Sequence, residues 1–376
     1  MVVALVLAAC GTRVDVERAL GRDTNPTAST RPGAPAKPTV YRNLHFVDAQ
    51  HGFAQASTDG QQYLLSTEDG GAAWSRLPLP TDGDVYFRSP RSGWIMSAVC
   101  QSALRKPPPL PSCQATIART DDGGRSWREL TRFPESEWRG AYPIASLRFV
   151  DDTTGWMLER SDRCSAFMCN DVLRSTDGGR SWEKVNDRTL PVHQLEVIGA
   201  SRLWAVGADS LLFSADGGAT WDTRLRVPTD ERNQPMFRNL VFANSGRGWA
   251  LANNLAACSM SQCGDYSLYR TDDGGAHWAP LRSPRWMGPC GGILTDARFA
   301  GDAGWIGLNH GAGGALNTWG VLRSSDGGDS WTCHPSALAF LEIEPLDDRR
   351  AVAVVEGHGL MLSADGGATW TDAEVR

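Results

Sequence analysis

From about residue 41 onward, short stretches of the chain alternate apolar and polar residues at every second position, the period of a half-buried β-strand. The first is Leu44-His-Phe-Val-Asp48, followed after a short turn by Gly52-Phe53. The layout returns as Val85–Ser89 with Gly93-Trp94, Leu147–Asp151 with Gly155-Trp156, and Leu195–Gly199 with Leu203-Trp204. Leu240–Asn244 with Gly248-Trp249 and Ala297–Gly301 with Gly304-Trp305 follow. Ile343–Asp347 with Ala351-Val352 is a degenerate last copy. Each unit predicts a strand, a tight turn and a second strand.

A second signal follows each of these units. It reads [Ser/Thr]-x-Asp-Gly-Gly-x-x-Trp and occurs seven times, with aspartates at Asp69, Asp122, Asp177, Asp216, Asp273, Asp326 and Asp365, 39 to 57 residues apart. The aspartate can accept backbone N–H groups across a turn, and the glycines supply positive φ. The motif resembles the Asp box, or bacterial neuraminidase repeat. Its residue types are those of a hairpin clasp, so a structural role outweighs a catalytic one. With one strand entering the box and one leaving at its tryptophan, each repeat holds four strands, A to D. Seven such repeats predict an all-β, seven-bladed β-propeller over residues 41–376. The seventh repeat is complete by Arg376, so side-chain packing alone is expected to close the ring.

Topology then separates two faces. The boxes are C–D turns and share a face with the A–B turns. The long B–C and D–A connections lie on the other. Cys100 and Cys113, Cys164 and Cys169, and Cys258 and Cys263 fall at equivalent B–C positions and are expected to staple their own hairpins, which leaves Cys290 with Cys333 by elimination. Of 15 tryptophans, all but three belong to the boxes or to strand B. The three are Trp138, Trp286 and Trp319, on the inserted face near Arg139, Tyr142, Arg285, Met287 and His310. Aromatic and arginine side chains there suit a partner-binding face; caps over loop mini-cores would use the same residues. The middle residue of strand A forms a further column, His45, Tyr86, Arg148, Glu196, Val241, Arg298 and Glu344, polar for an innermost strand. Arg148 with Glu196, and Arg298 with Glu344, come from adjacent blades and predict ion pairs beside the central channel.

Composition narrows the function. A net charge of −6 lacks the basic footprint of a duplex nucleic-acid binder. There is no paired C-x-x-C, and the seven histidines are scattered, so no metal and no cofactor are expected. No P-loop or nucleophile elbow occurs. The start, an apolar run ending Leu7-Ala-Ala-Cys10, resembles a bacterial lipobox, although no basic residue precedes it. It is read as residues 1–10 of a lipoprotein signal with Cys10 the lipidated residue, and the Pro/Thr/Ala-rich residues 11–40 as a flexible tether. The expected location is extracytoplasmic, anchored to a bacterial membrane.

Taken whole, residues 41–376 resemble the photosystem II assembly-factor propellers and their bacterial relatives. That resemblance implies a non-catalytic protein that holds a protein partner during assembly of a membrane complex. A sialidase-like glycosidase or carbohydrate-binding protein is the alternative, but it would need two paired carboxyls. Glu135, Glu137, Glu159, Asp230 and Glu231 lie on or near the inserted face without pairing in the sequence, and the R-I-P signature of sialidases is absent.

Overall fold

The computed structural model describes residues 39–101, 112–134, 136–137, 144–161, 169–229, 235–254, 258–259, 262–263, 266–281, 293–309 and 319–376. They form seven antiparallel sheets, each a blade of four strands in A-B-C-D order. Blade 1 is Val40–Phe46, Gly52–Thr58, Gln61–Thr67 and Ala73–Pro78. Blade 2 is Asp84–Phe87, Gly93–Gln101, Ser112–Thr120 and Arg128–Arg132. Blade 3 is Ile144–Phe149, Gly155–Arg160, Asn170–Ser175 and Glu183–Lys184, and blade 4 is Val192–Val197, Leu203–Gly207, Ser210–Ser214 and Asp222–Arg226. Blade 5 is Pro235–Phe242, Gly248–Asn254, Tyr266–Thr271 and Ala279–Pro280. Blade 6 has its A strand split into Ile293–Leu294 and Arg298–Ala300, then Ala303–Asn309, Trp319–Ser324 and Thr332–Ser336. Blade 7 is Phe340–Pro345, Ala351–Val355, Gly359–Ser363 and Thr371–Asp372.

The two sequence signals turn out to be parts of one packing unit. In strand A the aromatic residue lies over the glycine that opens strand B. A Cβ on Gly52, Gly93, Gly155, Gly248 or Gly304 would come within 2.5–2.7 Å of Phe46, Phe87, Phe149, Phe242 or Phe299. The box tryptophan meets the same ring edge-on, as in Phe149–Trp182 at 5.9 Å. The strand B aromatic then reaches into the next blade: Phe53 stacks on Phe87 at 3.5 Å, Trp94 on Phe149 at 3.9 Å and Trp249 on Phe299 at 3.8 Å. The indole N–H of Trp94, Trp156 and Trp249 donates to the first box glycine of the following blade, Gly178, Gly217 or Gly327. The strand B tryptophans are at most 1% exposed. The junctions between blades 2 and 3 and between blades 5 and 6 thus combine an aromatic stack with a hydrogen bond, and buried apolar area there contributes about 25 cal/mol per Å².

The turn itself satisfies its own backbone. Asp216 Oδ1 accepts the Thr220 N–H at 2.9 Å, Ser214 Oγ accepts the Gly218 N–H at 2.8 Å, and the Trp221 indole donates to Gly218 O at 2.8 Å. Both turn glycines have positive φ in all seven copies, from 71° to 98°.

Closure of the ring departs from the expectation. The chain continues past blade 7 as Glu374–Val375, which adds in parallel to the outer edge of blade 1, opposite Ala73 and Trp74. Glu374 N donates to Ala72 O, Arg376 N to Trp74 O, and Arg76 N to Arg376 O. Main-chain bonding, with Val375 packed on the Trp74 cluster, therefore joins last blade to first. The short strand was invisible as a pattern, because two residues carry no periodicity.

Candidate functional site

Strand A is not regular, and its irregularity shapes the centre of the molecule. Its register with strand B slips between Arg42 and His45, Ala145 and Arg148, Val192 and Gln194, Phe237 and Asn239, and Phe340 and Glu342. Asn43 and Ser146 take φ of 54° at these bulges. A β-bulge bends its strand and re-aims side chains. Here it directs polar groups of one blade at the backbone of the next. Glu342 of blade 7 accepts the N–H groups of Asn43 (3.0 Å) and Leu44 (2.7 Å) in blade 1. Opposite the blade 1 bulge, Gln55 of strand B accepts the Val85 N–H and donates to Gly83 O. Ser146 Oγ of blade 3 accepts the Leu195 N–H at 2.6 Å, and Asn239 Nδ2 of blade 5 donates to Ala297 O at 2.8 Å.

Inside this collar lies a cavity of 620 Å³, and the whole strand A column lines it: His45, Tyr86, Arg148, Glu196, Val241, Arg298 and Glu344. Arg148 Nε stands 3.6 Å from Glu196 Oε2 and Arg298 Nε 3.7 Å from Glu344 Oε2, the two inter-blade pairs expected from the sequence. Arg148 also lies over the Tyr86 ring at 5.4 Å and donates to Leu147 O, while the Tyr86 hydroxyl donates to Phe149 O. Burial, and then the Arg148 and Arg298 charges, push His45 down to about 4, so it is neutral at pH 7. Burial raises Glu344 to about 7 against the opposing pull of Arg298, with Glu342 adding to the rise; 18% of its side chain still faces the channel.

A second polar column escaped the sequence reading. Two residues before each column position stand Asn43, Asp84, Ser146, Gln194, Asn239, Asp296 and Glu342, polar in every repeat. A period of two puts them on the same face, and they sit beside the cavity or in a smaller one adjoining it. The signal was legible in the alignment of the repeats; its meaning depends on the bulges, which were not.

The inserted face is described in part. Trp138, Arg139, Tyr142, Arg285, Trp286, Met287 and His310 lie outside the described residues, as do Cys10, Cys164 and Cys290. Trp319 is described: it opens strand C of blade 6 and packs half-buried against the core shared by blades 5 and 6. Cys100 and Cys113 are bonded, Cys169 and Cys333 are each in a disulfide, and Cys258 pairs with Cys263 across a two-stranded ribbon. Glu135, Asp230 and Glu231 also lie outside, and Glu159 is the last residue but one of strand B of blade 3. Among the described residues no three His, Cys, Asp or Glu side chains gather as a metal site.

No family model and no curated protein sequence matches the chain. Solved structures do. YCF48 bound to a D1 peptide superposes with a TM-score of 0.52 at 18% identity, covering 89% of this chain and 99% of that one. YCF48 from Cyanidioschyzon merolae gives 0.51 at 18%, covering 78% and 86%. The GH74 xyloglucanase from Xanthomonas campestris gives 0.56 at 13% identity, covering 90% of this chain and 56% of that enzyme. The shared feature is the fold. At such identities a binding protein and a glycoside hydrolase are equally good matches to the backbone, and function has to come from the side chains.

Proposed function

We propose that this chain is a non-catalytic binding protein, tethered outside a bacterial membrane through lipid on Cys10, whose propeller holds a polypeptide partner in the manner of an assembly factor. The observation that carries the reading is the state of the channel carboxylates. Glu342 is occupied by two backbone N–H groups, and Glu196 and Glu344 each stand beside an arginine of the preceding blade. Glu342 so bonded holds a wall in place, and the charges of Glu196 and Glu344 are balanced by the guanidiniums beside them. A glycosidase needs one carboxyl free to donate a proton and another free to attack or to activate water. A polypeptide offers the mixed donors and acceptors that the amide, carboxylate and guanidinium lining complements, and YCF48, of the same fold, has been captured with a peptide.

One feature favours the carbohydrate alternative: Glu344, raised to about 7, has the proton affinity of a general acid. The two readings separate experimentally. Affinity capture of the lipidated protein from its own membrane, after brief cross-linking, is expected to recover a protein partner, and Cys10→Ala is expected to release the propeller from the membrane fraction. Turnover of chromogenic glycosides that disappears in Glu344→Gln would overturn the proposal in favour of an enzyme.

A further inference from the structure

We propose that the channel binds a carboxylate of the polypeptide partner, from an acidic side chain or a chain terminus, held between Arg148 of blade 3 and Arg298 of blade 6. The inference rests on the binding reading above and names the chemistry of its site. Blades 3 and 6 stand three positions apart in a ring of seven, so the two guanidiniums approach the cavity from opposing walls. Neither is saturated. Their nearest carboxylate oxygens, at 3.6 and 3.7 Å, are beyond hydrogen-bond distance, and Arg298 reaches Asp296 only at 3.8 Å. A guanidinium presents five N–H groups in a planar fork that fits a carboxylate two at a time. Arg148 spends one of these on Leu147 O and is braced by the Tyr86 ring, which fixes the fork without filling it.

The field in the cavity points the same way. The depressed protonation of His45 is caused, after burial, by both arginines, so their potentials converge on the blade 1 wall despite the neighbouring acids. Glu196 and Glu344 act as loosely held internal competitors. An entering carboxylate that accepts true hydrogen bonds from either fork gains charge-assisted contacts that these residues do not make.

The test uses the full chain and a fluorescently labelled, end-blocked tetraglutamate peptide, followed by anisotropy at fixed salt. Losing one such charge-assisted contact predicts binding about tenfold weaker in each of Arg148→Gln and Arg298→Gln. Arg148→Lys keeps the charge without the fork and should fall between. Removing a competitor in Glu344→Gln should tighten binding several-fold, and this variant decides the matter if a melting curve shows an arginine variant to be unfolded. The proposal is overturned if tetraglutamine binds as well as tetraglutamate, if the folded arginine variants bind like the parent, if Glu344→Gln leaves binding unchanged or weaker, or if trigalacturonate binds where tetraglutamate does not. Partner capture that survives both arginine variants would sink this inference and leave the binding function standing. Tetraglutamate binding with no partner captured would do the reverse.

Discussion

A single carboxyl shows how enclosure alters chemistry in this channel. Glu344 titrates at about 7 in the folded chain, against an ordinary value of 4.5. Between those values the folded protein holds a proton that the unfolded chain has released, so Glu344 makes stability fall as pH rises through that window. His45 works in the opposite sense. Its value drops from 6.5 to about 4, so between those limits the unfolded chain holds the extra proton and stability rises with pH. The two slopes overlap and offset. Chemical unfolding measured at intervals from pH 4 to 8 should expose them separately. Glu344→Gln should leave stability climbing up to about pH 6.5, and His45→Gln should leave it falling from pH 4.5 to 7. Parallel curves for the two variants would show that the channel does not perturb these groups. Both positions were legible in the sequence as members of a polar column. Their shifts were not, because they depend on the bulges that bring Glu342 and Arg298 against Glu344, and a bulge leaves no periodic trace.

At the level of the turn, the sequence was most informative, because the whole device is local. Serine or threonine, aspartate, two glycines and tryptophan each fill one role within eight residues, and nothing distant has to be known. The carboxylates report how well the turns are made. Asp122, Asp216 and Asp365 are drawn down to about 2, first by the hydroxyls of Ser126, Thr220 and Thr369 and then by backbone N–H groups. In Asp177 and Asp326 burial pushes upward, yet the hydroxyls of Ser181 and Ser330 and the backbone still bring them to about 2. A depressed folded value means stability that is present above the ordinary value of 3.8 and is lost as pH falls toward 2. Acid unfolding of the propeller should therefore set in steeply across that interval. Replacing Asp122, Asp216 and Asp365 together by asparagine, which keeps an acceptor oxygen but does not titrate there, should flatten the acid limb while leaving the neutral fold intact. An unchanged acid limb would place the titrating groups elsewhere. What local reading could not reach was the partner of each turn in the next blade. The glycines of the Gly-Trp pairs are required by the phenylalanine rings above them, and the indoles of Trp94, Trp156 and Trp249 select the next blade's turn carbonyl.

Across the whole ring, the junctions are unequal. The seam between blades 7 and 1, where a closed propeller would be weakest, is fastened twice: inside by Glu342 on the Asn43 and Leu44 N–H groups, and outside by the parallel strand Glu374–Val375. The junction between blades 4 and 5 is held more lightly, by the Phe237 N–H on Ala208 O at 2.8 Å and by Arg202 on Gly274 O at 3.3 Å. Trp204 is tilted 33° to Phe242 instead of stacked, and two buried indole N–H groups without a partner meet there, Trp204 Nε1 and Trp278 Nε1. Each such atom costs about 1–3 kcal/mol of desolvation. Sub-global opening follows the least stabilised interface. Amide hydrogen exchange followed by mass spectrometry should thus show strand A of blade 5, Pro235–Phe242, exchanging before strand A of blade 1, Val40–Phe46. Deleting residues 374–376 removes three main-chain hydrogen bonds and the Val375 contact, a loss of about 2–4 kcal/mol, and should reverse that order by moving the first opening to the seam. Glu342→Gln keeps an acceptor for one N–H and should give a smaller change at the same seam. If the deletion leaves the blade 1 exchange untouched, the terminal strand is an ornament on a ring that its side chains already close.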